Sequence, residues 1–181
     1  MALIEEMYHN GLNPDVVTYS TLFDGLCKGG RIKEAKSFLE EMYHNSLKPD
    51  VVTYSTLMNA LCKRNKVEEA LALHKEMGSR GRKRDVVTYN MLLDGLCKGE
   101  RPEEAMSLLE DMYHNGLNPD VVTYSTLMNA LFKRNKVEEA LALHKEMARI
   151  GCQANVVTCN TLLSLQKWKN RGGNVFVGGH V

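Results

Sequence analysis

Four side chains recur together along this chain at a constant interval of 35 residues. They read Val17, Ser20, Asp24 and Lys28; then Val52, Ser55, Asn59 and Lys63; then Val87, Asn90, Asp94 and Lys98; then Val122, Ser125, Asn129 and Lys133. Their spacing of i, i+3, i+7 and i+11 sets each group on one stripe of a helix. Each stripe offers an apolar surface, a small hydrogen-bonding group, a more polar group and an ammonium. A ladder of this kind suits a polymer with a regular chemical repeat. Single-stranded nucleic acid has flat bases, hydrogen-bonding edges and one phosphate per step. Val can press on a base face, Ser or Asn can read an edge, and Lys can meet a phosphate. The lysines alone would equally suit a solvated polar face. Val together with Ser or Asn on one exposed stripe of every unit is what points to a ligand.

The elements that position these stripes follow from the repeat itself, which is the first thing to establish in such a chain. The string VVTYS or VVTYN starts at Val16, Val51, Val86 and Val121, and VVTCN starts at Val156. Full units therefore run 16–50, 51–85, 86–120 and 121–155. Residues 51–77 and 121–147 differ only in Cys62 against Phe132, and residues 7–20 and 112–125 are identical. Each unit holds two helical patterns. In the second unit one apolar face is Tyr54, Leu57, Met58, Leu61 and Cys62, and the other is Val67, Ala70, Leu71, His74 and Met77. Asn65, or Gly29-Gly30 in the first unit, breaks the chain between them. Pro-Asp pairs at 14–15, 49–50 and 119–120 close one unit and open the next, each Asp placed to cap the following helix. One short hairpin cannot bury both faces, but stacked hairpins can. The expected fold is all-α, an α-solenoid of stacked helix-turn-helix repeats, with no pocket of the usual enzymatic kind.

Composition agrees. The chain has 181 residues, 44% hydrophobic and 25% charged, which places it outside the disordered class. No apolar run approaches the ~18 residues of a membrane span, so no membrane partner is expected. The formal net charge of +1 announces no polyanion, but the charge is uneven: the four units carry 0, +4, −5 and +2. The run Arg80, Arg82, Lys83, Arg84 reads as a solvated inter-unit loop, with a nuclear signal as the alternative. Cys27, Cys62, Cys97, Cys152 and Cys159 include no CxxC pair and read as reduced, half-buried thiols with no metal. The H-x-E plus C-x-x-C combination of a zinc deaminase is not found, and no nuclease domain follows the repeats. Neither enzyme activity, a cofactor nor a small-molecule substrate is expected. The N-terminus MALIEEMYHN has no signal core and no transit-peptide character.

The unit VVTYSTLFDGLCKGGRIKEAKSFLEEMYHNSLKPD resembles a P-type pentatricopeptide repeat, in particular the restorer-of-fertility-like group of plants, over residues 1–165. A tetratricopeptide unit would be 34 residues long with a W-x₂-L-G-x₂-Y pattern, which is not found here. The resemblance implies a right-handed superhelix that binds single-stranded RNA, read 5′ to 3′ from the N-terminus by two residues per unit. The pairs are Ser20 with Asp50, Ser55 with Asp85, Asn90 with Asp120, and Ser125 with Asn155; Asn160 begins a fifth. By the same resemblance they imply 5′-GGUA-3′. Val17, Val52, Val87, Val122 and Val157 would sandwich the bases, and Lys28, Lys63, Lys98 and Lys133 would lie near phosphates. The implied setting is RNA processing, stability or translation in a mitochondrion, or else a chloroplast. The Asp readout residues also sit where a cap belongs; one carboxylate oxygen can cap while the other receives a base N–H.

Both ends depart from the pattern. Residues 1–15 match a second helix alone, 156–166 a first helix alone, and 167–181 a divergent, Gly-rich tail; Cys159 replaces the Tyr of the other units. A truncated or mis-spliced product is expected, with self-association through uncapped apolar ends. The competing functional readings are a protein-interaction scaffold and an inactive product. Four readout pairs predict weak binding, about micromolar or poorer.

Overall fold

The computed structural model of the chain describes residues 2–12 and 14–170. Among the described residues there are ten helices and no strand: α1 (Ala2–His9), α2 (Val16–Lys28), α3 (Ile32–His44), α4 (Val51–Cys62), α5 (Val67–Ser79), α6 (Val86–Lys98), α7 (Pro102–His114), α8 (Val121–Lys133), α9 (Val137–Arg149) and α10 (Val156–Asn170). The fold is an all-α helical repeat solenoid, as expected. The chain forms two compact units, residues 1–95 and 96–181. In the first, α2 packs on α3, α4 on α5, and both α2 and α3 pack on α4. In the second, α8 packs on α7, α9 and α10. Helix α10 continues to Asn170, four residues past the expected limit of the last partial repeat at 166. The glycines of the tail, Gly172, Gly173, Gly178 and Gly179, lie outside the described residues.

The corners are built from one device. Gly30, Asn65, Glu100 and Asn135 share a register position between the two helices of a repeat, and their φ values are 77, 58, 60 and 61°. Each is followed by an N–H that reaches back five residues to close the preceding helix, for example Lys66 N–H to the Leu61 carbonyl at 3.0 Å and Arg101 N–H to the Leu96 carbonyl at 2.9 Å. Glycine and asparagine tolerate this left-handed backbone; Glu100 does so at a cost of about 1–2 kcal/mol.

The core repeats as faithfully. Tyr19, Tyr54, Tyr89 and Tyr124 are fully buried in the first helices, and Ala35, Ala70, Ala105 and Ala140 in the second. An alanine there lets a neighbouring helix come close. Burial of each Leu, Met or Val around them contributes about 1.5–3 kcal/mol. The buried phenols keep hydrogen-bond partners: Tyr54 with the Tyr43 hydroxyl at 2.6 Å, Tyr124 with that of Tyr113 at 2.5 Å, and Tyr19 from the Asn45 amide at 2.8 Å. Burial pushes the Tyr54 and Tyr124 hydroxyls above the ordinary phenol range.

Two members of the expected apolar faces are displaced. Leu73, not Leu71, joins Val67, Ala70, His74 and Met77 in the core of α5, while Leu71 is half-buried. At roughly 100° per residue, Leu71 stands about a quarter-turn beyond the centre of the buried arc. Cys62 is also half-buried. It lies over Gly95, where a Cβ would come within 2.8 Å of its sulfur.

Glu69 bridges Lys36 of the preceding hairpin at 2.5 Å and Lys66 at 2.8 Å, and these bonds hold its carboxyl down to about 2. A carboxylate lowered in the fold contributes stability above its ordinary value of 4.5 and loses it as pH falls toward 2. All three groups are well exposed, so the contribution is at most about 1 kcal/mol. Glu69→Gln should therefore lower the thermal midpoint at pH 6, and the deficit should shrink on acidification toward pH 2. Glu100→Gly should raise the midpoint, through a stability gain of about 0.5–1 kcal/mol after allowing for the greater freedom of glycine in the unfolded chain. Scanning calorimetry of the two variants checks both.

Candidate nucleic-acid interface

The first helix of each repeat starts from the same four residues. Asp15, Asp50, Asp85, Asp120 and Asn155 accept, through Oδ1, the backbone N–H of the third residue on, Thr18, Thr53, Thr88, Thr123 and Thr158. The N···O distances are 2.9 Å for the four Asp and 3.0 Å for Asn155. The threonine hydroxyl closes the ring. In Asp15, Asp50 and Asp120 it donates to the same Oδ1 at 2.9–3.0 Å, and in Asp85, Asp120 and Asn155 it accepts from the cap residue's own N–H. These threonines are buried from the second repeat onward. They are capping residues outside the stripe, and the spacing of Asp or Asn three residues before Thr is their signal in the sequence. Asp15 is held below the usual carboxylate range by the Thr18 N–H.

This cap sets the phase of the helix and so aims the stripe. The second helical residue is Val17, Val52, Val87, Val122 or Val157, and these are 70, 68, 61, 49 and 52% exposed. Single exposed apolar residues need no explanation. Five at one register position, each beside a capping Asp or Asn, form an apolar ladder within each unit that folding does not require. The next member lies deeper than expected: Ser20, Ser55 and Asn90 are half-buried and Ser125 is buried, leaving Asn160 alone exposed. The expectation of a uniformly exposed Ser/Asn position is thus corrected. The side chain three residues along a helix sits at the flank of the stripe, against the neighbouring hairpin. The Ser55 hydroxyl donates to the Val51 carbonyl at 2.6 Å and that of Ser125 to the Val122 carbonyl at 3.1 Å, so their protons are committed to the helix and their lone pairs remain.

The lysines are not alike. Lys28, Lys63, Lys98 and Lys133 are all exposed. Lys28, however, is bridged at 2.6 Å to Asp24 one turn earlier, an i, i+4 pairing that its spacing announces. In α4 and α8 the residue at that place is Asn59 or Asn129. A cleft of about 230 Å³ opens between α2 and α4, lined by Asp24, Lys28, Asn59, Lys63 and Arg64 among others.

His74-Lys75-Glu76 and His144-Lys145-Glu146 supply the H-x-E half of a deaminase signature. They lie in second helices, with His74 in the core, 4.6 Å edge-on to Tyr89. Among the described residues no group of His, Cys, Asp and Glu is placed to hold a metal.

Comparison with known families finds the PPR repeat family over residues 49–98, 84–133 and 119–165, and the PPR repeat over residues 10–43. Comparison with curated proteins gave no match. Among solved structures the chain is similar to the pentatricopeptide repeat protein PPR10 from maize, at 37% identity and a TM-score of 0.70 over 94% of this chain and 24% of that one. PPR10 in complex with an 18-nt psaJ RNA element aligns at 27% identity and a TM-score of 0.74, over 92% of this chain and 25% of that one. The chain thus spans about a quarter of the length of these relatives. The PPR domain of Arabidopsis thaliana protein-only RNase P 1, in complex with tRNA, shares the fold at 16% identity and a TM-score of 0.73, over 92% of this chain and 88% of that one.

If the valine ladder serves a ligand and not the core, its removal should leave the fold intact. Val52→Ala should change the unfolding free energy by less than about 0.5 kcal/mol, as exposed positions do. Leu57→Ala, at a fully buried position of the same helix, should cost about 2–5 kcal/mol. Urea unfolding followed by circular dichroism measures both.

Proposed function

This chain belongs to the pentatricopeptide repeat family, and from that membership we propose that it binds single-stranded RNA along its valine ladder, one base to each repeat. The observation that carries the reading is the capping residue beside each exposed valine. Its first side-chain oxygen is taken by the helix, and the chemistry of its second atom differs between Asp and Asn. An Asp offers a further acceptor. Asn155, whose Oδ1 is held by the Thr158 N–H at 3.0 Å, has an Nδ2 donor in its place.

The family resemblance implies that base preference comes from pairing this residue with the Ser or Asn of the same repeat, and the chemistry of each pair is compatible with the base implied. Ser55, its proton spent on Val51, is an acceptor, and Asp85 is a second. Two acceptors in one readout pair match the two N–H donors on the Watson–Crick edge of guanine. Ser20 with Asp50 has the same composition. Ser125 with Asn155 presents an acceptor and a donor, which match N6–H and N1 of adenine, the short serine leaving room for a purine. Asn90 is longer and suits a smaller pyrimidine, and the register partner Asp120 accepts from N3–H of uracil. The proposed core is 5′-GGUA-3′, with Asn160 starting a further position. A valine on each base face contributes by apolar contact, as bases stack on side chains in other single-strand binders. The proposed role is that of a non-catalytic adaptor. The P-type, restorer-of-fertility-like resemblance supports an organellar transcript as target, mitochondrial in the first instance, with RNA processing, stability or translation as the outcome.

Asn155→Asp tests this at a single atom, because Asp caps the sibling helices and the fold should be unaffected. In fluorescence anisotropy the native chain should prefer an RNA containing GGUA over one containing GGUG, and the variant should reverse that order. Each preference should be worth about 1–3 kcal/mol, the scale of a matched base contact. Unchanged preference in the variant overturns modular readout. Absence of binding to any RNA favours the protein-scaffold reading.

A further inference from the structure

We propose that the residue one turn before each stripe lysine decides which repeats grip the RNA backbone, so that repeats 2 and 4 anchor phosphates while repeat 1 reads a base without anchoring it. This inference rests on the RNA-binding reading above and adds to it a division of labour between otherwise near-identical repeats.

The ion pairing and charges along the stripes differ between repeats. Lys28 is tied at 2.6 Å to Asp24 on its own helix, so its charge is already offset within the repeat. At the same register Asn59 and Asn129 stand before Lys63 and Lys133, and no carboxylate among the described residues bridges either ammonium. Arg64 and Arg134 follow these two lysines directly, where repeats 1 and 3 have Gly29 and Gly99; the Arg64 guanidinium donates to the Ala60 carbonyl and faces no carboxylate ion-pair partner among the described residues, whereas Arg134 already faces Glu100, so in repeat 4 the anchoring charge is that of Lys133. The whole-repeat charges alternate in the same sense, 0, +4, −5 and +2. Within the first unit the contrast is visible at one place. Lys28 and Lys63 both line the cleft of about 230 Å³ between α2 and α4, with Arg64 at its rim. A phosphate entering that cleft meets an ammonium shared with Asp24 on one wall and an unshared ammonium and a guanidinium on the other. Asp94 and Lys98 occupy the bridged register of the acidic third repeat.

A phosphate contact releases counterions, so each one adds about 0.7 to the slope of log K against log salt for a single strand. Between 50 and 200 mM salt that is about a threefold change in affinity per contact. The experiment is anisotropy titration of an RNA containing GGUA at several salt concentrations, with the full chain. Lys63→Ala should lower the slope by about 0.7, and Lys28→Ala should leave it unchanged. Asp24→Asn should raise it by about 0.7, and Lys28→Ala should then become costly in the Asp24→Asn background. Glu41→Gln removes the same charge from the same repeat away from the stripe, and should have a smaller effect than Asp24→Asn. Equal losses for Lys28→Ala and Lys63→Ala in the native chain overturn the proposal, as does equality of Asp24→Asn with Glu41→Gln. If no RNA binds, the RNA reading fails instead. The same variants titrated with inorganic polyphosphate then decide the lysine partition: a Lys63-only slope change supports it and equal changes overturn it.

Discussion

The capping bond at the head of each first helix is the constraint on which the rest depends. A helix start leaves free N–H groups that must be satisfied. Here an Asp or Asn oxygen takes one of them in five first helices, α2, α4, α6, α8 and α10, with a threonine closing the ring. That bond fixes where the helix begins and therefore its rotational phase. The phase places the second residue, a valine, outward, the Tyr two residues later inward, and the Ser or Asn that follows at the flank. It also immobilises one atom of the capping side chain and leaves the other to differ between repeats. One side chain thus starts the helix and, in the proposed reading, also meets the base, and Asp and Asn both cap without disturbing the fold.

What joins one hairpin to the next is more varied than what builds each hairpin. The tyrosine hydroxyl pairs, Tyr43 with Tyr54 and Tyr113 with Tyr124, link a second helix to the following first helix in each unit. Around them the ionic links differ. Tyr43 lies under the Arg80 guanidinium, 3.9 Å from the ring centre, whereas Tyr113 donates to Glu146 at 2.9 Å. Lys36 reaches forward to Glu69, and Lys136 reaches back to Glu103 at 2.8 Å. Arg134 donates to the Glu100 carbonyl at the preceding corner, and Arg64 lies against Gly30 at the equivalent one. Exposed pairs of this kind add little stability individually. Their variety lets near-duplicate repeats hold different local charges.

The period, the helix pairs, the corner at Asn65 and the capping register were legible in the amino-acid sequence because each depends on neighbours within a few residues. An Asp followed by VVTY is a helix start, and a Gly or Asn after an apolar run is a stop. The all-α repeat fold follows directly, since a hairpin with two apolar faces has to stack. The valine ladder was legible for the same reason: once the helix phase is known, its second residue points away from the tyrosine face. The family resemblance agreed with this reading over residues that the comparisons then matched independently.

Depth and partnership were not legible, because they depend on what another helix brings. Sequence spacing placed Leu71 in the core, but the face of α5 that meets its neighbours centres nearer Leu73. It treated Ser20, Ser55, Asn90 and Ser125 as one exposed class, whereas packing buries Ser125 and half-buries the others. It could count lysines on a stripe, yet only the packed structure sets Lys28 and Lys63 on one cleft. By itself the sequence determined the helices, their period and the residues that start them, since those are local hydrogen-bond and periodicity choices. The tertiary structure decided how far each side chain stands from water and which charges pair between hairpins, such as Lys36 with Glu69, since burial and inter-helix pairing are properties of two surfaces together.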